Sequence, residues 1–163
     1  MRFIVVGDAG HTVPGERLSS AHEERGLSMK VEGHCHCGAI TYEAEVEPGT
    51  VGICHCLDCQ RLTGSAFRAN IAAPASGFRI VKGKPRQYVK TADSGARRVH
   101  AFCETCGSPI YACAAENPRS YSLRVGALTQ RQALGPPARQ IWVKRRLPWV
   151  PALVDIPEVE GAP

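Results

Sequence analysis

Seven of the chain's eight cysteines fall into three tight groups: Cys35-His36-Cys37, Cys54-His55-Cys56-Leu57-Asp58-Cys59 and Cys103-Glu104-Thr105-Cys106. Thiols at such spacings are ligands for a metal, above all zinc, which takes four donors in a tetrahedron. The Cys-X-Cys pair Cys35 and Cys37 and the Cys-X-X-Cys pair Cys103 and Cys106 supply four thiolates between them, enough to close one site. The central group, Cys54, Cys56 and Cys59, is left with three. A structural zinc has its fourth position filled by protein, whereas a catalytic zinc leaves it to water or substrate. Three thiolates with no evident fourth therefore point to an open, catalytic metal, and the sequence to two zinc ions per chain.

Strand geometry would place these donors. In extended chain, residues i and i+2 project to the same side, so Cys35 and Cys37 can grip one metal while His34 and His36 face away. The same holds for Cys54 and Cys56, with His55 turned off the metal side and a turn through Leu57 and Asp58 bringing Cys59 round. A competing arrangement is a purely structural Cys3His centre in which a histidine closes the central group. Disulfides are the weaker alternative. No secretory signal is present, and a basic, Ala- and Arg-rich chain reads as cytoplasmic, where thiols stay reduced.

The surrounding pattern is of short strands broken by turn residues. Lys30 to His34 and Ala39 to Val46 flank the first pair, with Tyr42, Ala44 and Val46 alternating against Thr41, Glu43 and Glu45. After the central group, Gln60 to Gly64 reads as a helical turn or loop. Further strands are expected at Phe67 to Ala73, Phe78 to Val81, Gln87 to Lys90, Arg97 to Phe102, Pro109 to Cys113 and Ser120 to Val125. Leu128 to Leu134 is expected to form a brief helix and Ile141 to Val143 a last strand. The return through Arg97 to Phe102 lets Cys103 and Cys106 arrive beside Cys35 and Cys37. Many short strands with turn signals argue for a mainly β domain. Residues 1–28 have little to bury and are expected to be a disordered leader, with Met29 read as the natural start. Residues 29–150 form the domain and 151–163 an irregular, proline-rich tail.

The formal charge of +5 counts every cysteine as neutral. Zinc with four thiolates carries −2 and zinc with three carries −1, so filling both sites would bring the sum to about +2. The basic residues are also dispersed, without interleaved aromatics or a reading motif, which argues against nucleic acid as a partner. No apolar run is long enough to span a membrane. Near the central group, His55, Asp58 and Arg61 are candidates to move a proton, each with an ordinary alternative: an exposed loop histidine, a turn carboxylate and a solvated arginine. Cys113 reads as an inert core thiol, and Trp142 and Trp149 as core or edge packing.

Taken in order, Gly33-His34-Cys35-His36-Cys37-Gly38, Cys54-His55-Cys56-Leu57-Asp58-Cys59-Gln60-Arg61-Leu62-Thr63-Gly64-Ser65-Ala66-Phe67 and Phe102-Cys103-Glu104-Thr105-Cys106-Gly107-Ser108 resemble the glutathione-dependent formaldehyde-activating enzyme family, whose domain is shared with centromere protein V. The resemblance runs from about Met29 to Trp149. It implies a β-tent zinc-binding fold of short antiparallel strands. Cys35, Cys37, Cys103 and Cys106 would hold a structural zinc, and Cys54, Cys56 and Cys59 a catalytic one. The activity it implies is that of a carbon–sulfur lyase, the reversible addition of a small thiol such as glutathione to an aldehyde such as formaldehyde, giving S-hydroxymethylglutathione. An oligomer is compatible with this reading. The reading from a different class is a non-catalytic, zinc-stabilised binding module for a protein or chromatin partner.

Overall fold

A computed structural model describes residues 27–161. The expected leader, apart from Leu27 and Ser28, lies outside the described residues. The chain is mainly β. The described residues form strands β1 (Met29–His34), β2 (Thr41–Val46), β3 (Gly52–Cys54), β4 (Arg68–Pro74), β5 (Phe78–Lys82), β6 (Arg86–Thr91), β7 (Arg97–Phe102), β8 (Pro109–Ala114), β9 (Ser120–Arg124) and β10 (Arg139–Ile141), with one α-helix among them, α1 (Leu57–Thr63). A small sheet has the order β1-β2-β5 and a large one the order β10-β3-β4-β9-β8-β7-β6. Every pairing is antiparallel except β10 with β3, which is parallel.

The period-2 pattern of β2 puts Tyr42, Ala44 and Val46 inside and the intervening Thr and Glu residues outward. Those three, with Val31 of β1, form one apolar cluster with Ile71 and Ala73 of β4, Val99 and Ala101 of β7 and Leu123 of β9. Aromatic rings bridge the two sheets. Phe78 of β5 stacks on Tyr121 of β9, ring centroids 4.4 Å apart, and meets Tyr111 of β8 edge-on at 5.4 Å. Such pairs add to the area they bury because ring edges and faces carry opposite partial charge.

The large sheet is two-faced. On β4 the core side carries Ile71 and Ala73, and the opposite side carries Arg68 and Asn70; β7 sets Val99 and Ala101 against Arg98 and His100, and β9 sets Leu123 against Ser122 and Arg124. The polar side, together with Cys54 at the end of β3, forms the wall of a cleft of about 810 Å³.

Several details differ from the sequence expectation. The last strand is Arg139–Ile141, not Ile141 to Val143: Trp142 has φ +60, a left-handed conformation that ends it. Between Leu128 and Leu134 the chain makes one short 3₁₀ turn, Arg131–Leu134, closed by the fully buried Leu134. The tail holds a further 3₁₀ turn at Val150–Asp155, exposed from Pro151 onward. Neither tryptophan is in the core: Trp142 is 43% exposed and Trp149 53%.

Gly33 of β1 lies against the ring of buried Tyr42, and a Cβ at that position would collide with it. Gly33→Ala is expected to cost roughly 1–3 kcal/mol through overpacking. Urea unfolding of Gly33→Ala, alone and with Tyr42→Leu, measures this: the alanine's added cost should shrink sharply once the ring is shortened.

Candidate metal centres and the adjoining cleft

The first and third cysteine groups sit in two matching turns. β1 ends at His34, and the chain reverses through His36 and Cys37 to Gly38, whose φ of +72 suits glycine; the Gly38 N–H donates to the Cys35 carbonyl at 3.0 Å. In the second turn Gly107, φ +74, donates its N–H to the Cys103 carbonyl at 2.8 Å. Tight turns, rather than the extended strand expected from the Cys-X-Cys spacing, thus bring the thiols side by side. The Sγ atoms of Cys35 and Cys37 are 3.5 Å apart, and those of Cys37 and Cys103 are 3.7 Å apart. All four sulfurs, Cys106 included, lie within 4.8 Å of one another.

That spacing suits a metal. A tetrahedron with zinc–sulfur bonds of about 2.3 Å has sulfur–sulfur edges of about 3.8 Å. Backbone and hydroxyl donors also point at the sulfurs, as thiolates require. The Ile40 N–H donates to Cys35 Sγ at 3.2 Å, and Ser108 Oγ is 3.2 Å from Cys106 Sγ. The Ser108 hydroxyl, followed by backbone N–H donors, holds the Cys106 thiol down to about 5. Ser108 Oγ also accepts the His36 N–H at 3.0 Å and so ties one turn to the other.

The central group is built at a strand end and a helix start. Cys54 closes β3. Cys56, in extended conformation, is the N-cap of α1, its Sγ accepting the Cys59 N–H at 3.4 Å, and Cys59 falls in the first helical turn. The expected turn through Leu57 and Asp58 is therefore the opening of a helix. The three Sγ atoms lie within 4.8 Å of one another, and among the described residues no histidine or carboxylate joins them. Hydrogen bonding from Cys59 holds Cys54 down to about 5, while the same contact, with burial, pushes Cys59 up. Two of the three thiols are only half-buried, and all three line the cleft.

His55 does not close this group, nor is it an exposed loop residue. It is fully buried, its Nε2 2.8 Å from Gln140 Oε1 and its ring edge-on to Phe67 at 5.8 Å. Gln60 extends the tie: its amide donates to the carbonyls of His55, at 2.7 Å, and of Arg145, at 2.9 Å, strapping the 141–145 segment to α1. Asp58 forms an ion pair with Lys90 at 2.6 Å. Arg61 is exposed at the cleft rim. Cys113 is buried in the core, which pushes its thiol up.

The cleft also contains residues that the cysteine pattern did not single out. Arg68, Arg124 and His100 come from strand positions whose alternation with apolar neighbours was the available signal. Arg68 donates from Nε to Thr63 Oγ1 at 2.7 Å, and Thr63 in turn donates to the Cys59 carbonyl, so the arginine steadies the helix that carries two of the thiols. Burial and the neighbouring Arg68 push Arg124 down to about 9. Burial, then Arg124 and Arg68, push His100 down to about 4, which keeps it neutral near pH 7.

Short strands pinned by a four-thiol group, with a three-thiol group opening onto a cationic cleft, define a cysteine-clustered β class of protein. The chain belongs to the glutathione-dependent formaldehyde-activating enzyme family, whose model matches residues 30–145. Among solved structures, the crystal structure of a Rhodobacter sphaeroides protein is similar over 67% of this chain and 98% of its own, with 27% sequence identity and a TM-score of 0.52. Among the described residues no helix is long and apolar enough to cross a membrane.

Cys35→Ser or Cys106→Ser is expected to lose bound metal and most of the melting transition, whereas Cys56→Ser should lose metal from the central group alone and keep the fold; metal analysis with thermal unfolding separates the two. For His100, the folded value of about 4 lies below the unfolded value of 6.5. The unfolded state then binds the extra proton between those values, so the stability is present above pH 6.5 and is lost as pH falls toward 4. Between pH 7 and pH 5 the loss should be about 1 kcal/mol, after discounting for a ring that is only half-buried. Urea unfolding should show that extra loss in wild type relative to His100→Gln.

Proposed function

We propose that the chain is an enzyme that adds a small, glutathione-like thiol to formaldehyde or a similar aldehyde, reversibly, with the chemistry at Cys54, Cys56 and Cys59. The observation that carries this reading is the three-thiol group that opens onto the cleft with no fourth side-chain donor. Cys54, Cys56 and Cys59 would hold one zinc, and Cys35, Cys37, Cys103 and Cys106 a second, structural one. When bound, the first zinc supplies a local positive charge that favours the deprotonated form of an incoming thiol.

The protein's own residues do the rest. The cleft walls hold the thiol and the aldehyde together, replacing a bimolecular encounter by a local one. Arg68 and Arg124 add positive potential on the floor of the cleft, which favours anionic sulfur. The sulfur lone pair attacks the carbonyl carbon, a C–S bond forms, and the C=O π pair moves to oxygen. That oxygen then needs a proton. Lys90, held 2.6 Å from Asp58 and lining the cleft, carries an ammonium proton that can serve there. In reverse, Lys90 retrieves the hydroxyl proton and the C–S bond breaks.

NMR exchange between free formaldehyde and S-hydroxymethylglutathione tests the proposal. Zinc-loaded wild type is expected to exceed the uncatalysed exchange rate, and Cys56→Ser at matched concentration to return to it. Equal exchange in both proteins would exclude glutathione and formaldehyde as the working pair.

A further inference from the structure

Among the described residues, Arg68 and Arg124 are the two charged residues that the fold buries most deeply, at 3% and 7% exposed. They stand on adjacent strands: Arg68 lies opposite Cys54 in the β3–β4 pair, and Arg124 opposite Asn70 in the β4–β9 pair. Both line the cleft. Buried arginine is ordinarily matched by a carboxylate, since an unpaired buried charge is costly. Here, among the described residues, no carboxylate lies within ion-pairing distance of either guanidinium. Their acceptors are neutral: Thr63 Oγ1 for Arg68 Nε, and Asn70 Oδ1 for Arg124 Nη1. One N–H-bearing atom on each, Arg68 Nη2 and Arg124 Nε, is buried with no acceptor at all.

The thiol group does not account for both charges. Three thiolates around a divalent cation sum to −1, which offsets one guanidinium and leaves the other. Six Lys and Arg side chains line the cleft against two carboxylates, Asp58 and Asp93, and Asp58 is already paired with Lys90. The floor of the cleft thus has one uncompensated positive charge and two unused donors. A carboxylate offers one negative charge and two oxygens, which suits a pair of guanidinium edges better than a compact dianion with three or four oxygens would.

We propose that Arg68 and Arg124 form a carboxylate subsite, so that the thiol reaching Cys54, Cys56 and Cys59 is one that carries a carboxylate within reach of its sulfur. The identity of the group as part of a thiol rests on the function proposed above; the anion subsite itself rests on the two arginines. Arg124 recognises the substrate directly. Arg68 does so while also holding Thr63 at the end of the helix that carries the thiols.

Calorimetric titration of the full, zinc-loaded chain, without aldehyde, tests this with a matched pair of ligands, N-acetylcysteine and N-acetylcysteine amide. The acid is expected to bind about ten- to a hundredfold more tightly than the amide, the range for a hydrogen-bonded charge pair. Arg124→Met should abolish that preference, whatever it does to the amide's own affinity, and Arg124→Lys, which keeps the charge without the fork, should restore part of it. Equal affinity for acid and amide in wild type would overturn the subsite without reliance on any variant, as would an unchanged preference in a folded Arg124→Met. Stronger competition by inorganic phosphate than by acetate would also overturn it. Adduct exchange is scored separately by NMR: a preference for the acid without exchange refutes the reaction and keeps the subsite, and exchange with equal affinities does the reverse.

Discussion

Four sulfur atoms within 4.8 Å of one another, drawn from positions 35, 37, 103 and 106, are the constraint around which this chain is arranged. Ionised thiols at that distance repel one another, and neutral thiols gain little from contact, so the arrangement is favourable chiefly with a cation among them. The cross-link it would make spans most of the strands. It joins the end of β1 in the small sheet to the turn between β7 and β8 in the large one, and so closes a long loop whose entropy is otherwise lost only through packing. Two of the sulfurs, Cys35 and Cys103, are also core residues in contact with the apolar cluster. Metal and core would therefore form together, each lowering the cost of ordering the other.

The large sheet separates packing from chemistry by the alternation of its strands. One face completes the core, and the other carries Arg68, Asn70, His100 and Arg124 toward the thiols. A one-residue slip of β4 would send Ile71 and Ala73 into the cleft and Arg68 into the core, so the apolar face fixes the register of the polar one. The cleft can tolerate two poorly matched charges because the opposite face of the same strands supplies the burial that holds them in place. This is the pattern expected where local stability is lost in favour of a binding surface.

Much of this arrangement was legible in the sequence because its signals are local. Short Cys spacings and the alternation in β2 each lie within a few residues, and the strand limits at Arg97–Phe102 agree with the pattern to the residue. The turns were harder. The spacing of Cys35 and Cys37 suits an extended strand as well as a knuckle, and only the positive φ of Gly38 distinguishes them. His55 shows the limit of judging a residue by its neighbours. Flanked by cysteines, it reads as a loop residue or a ligand, yet the amide oxygen of Gln140, eighty-five residues away, accepts from its ring and the fold buries it. Of the two readings for Trp142 and Trp149, the structure excludes the core: hydrophobicity favours burial, but the chain there runs in short turns that leave both about half exposed.

The arginines were missed because an arginine in a β pattern is most often a solvated residue, and nothing local marks Arg68 or Arg124 as buried. Their burial follows from strand order: β4 and β9 lie in the interior of the large sheet, between β3 and β8, so side chains on their outer face are covered by α1 and by the cleft's own walls. A central strand thus converts an ordinary surface residue into a desolvated charge. The same low-dielectric setting that makes these guanidiniums costly when unpaired strengthens their attraction to an anion that enters the cleft. The structural cost and the capacity to bind have one origin, the placement of polar positions on the middle strands of the sheet.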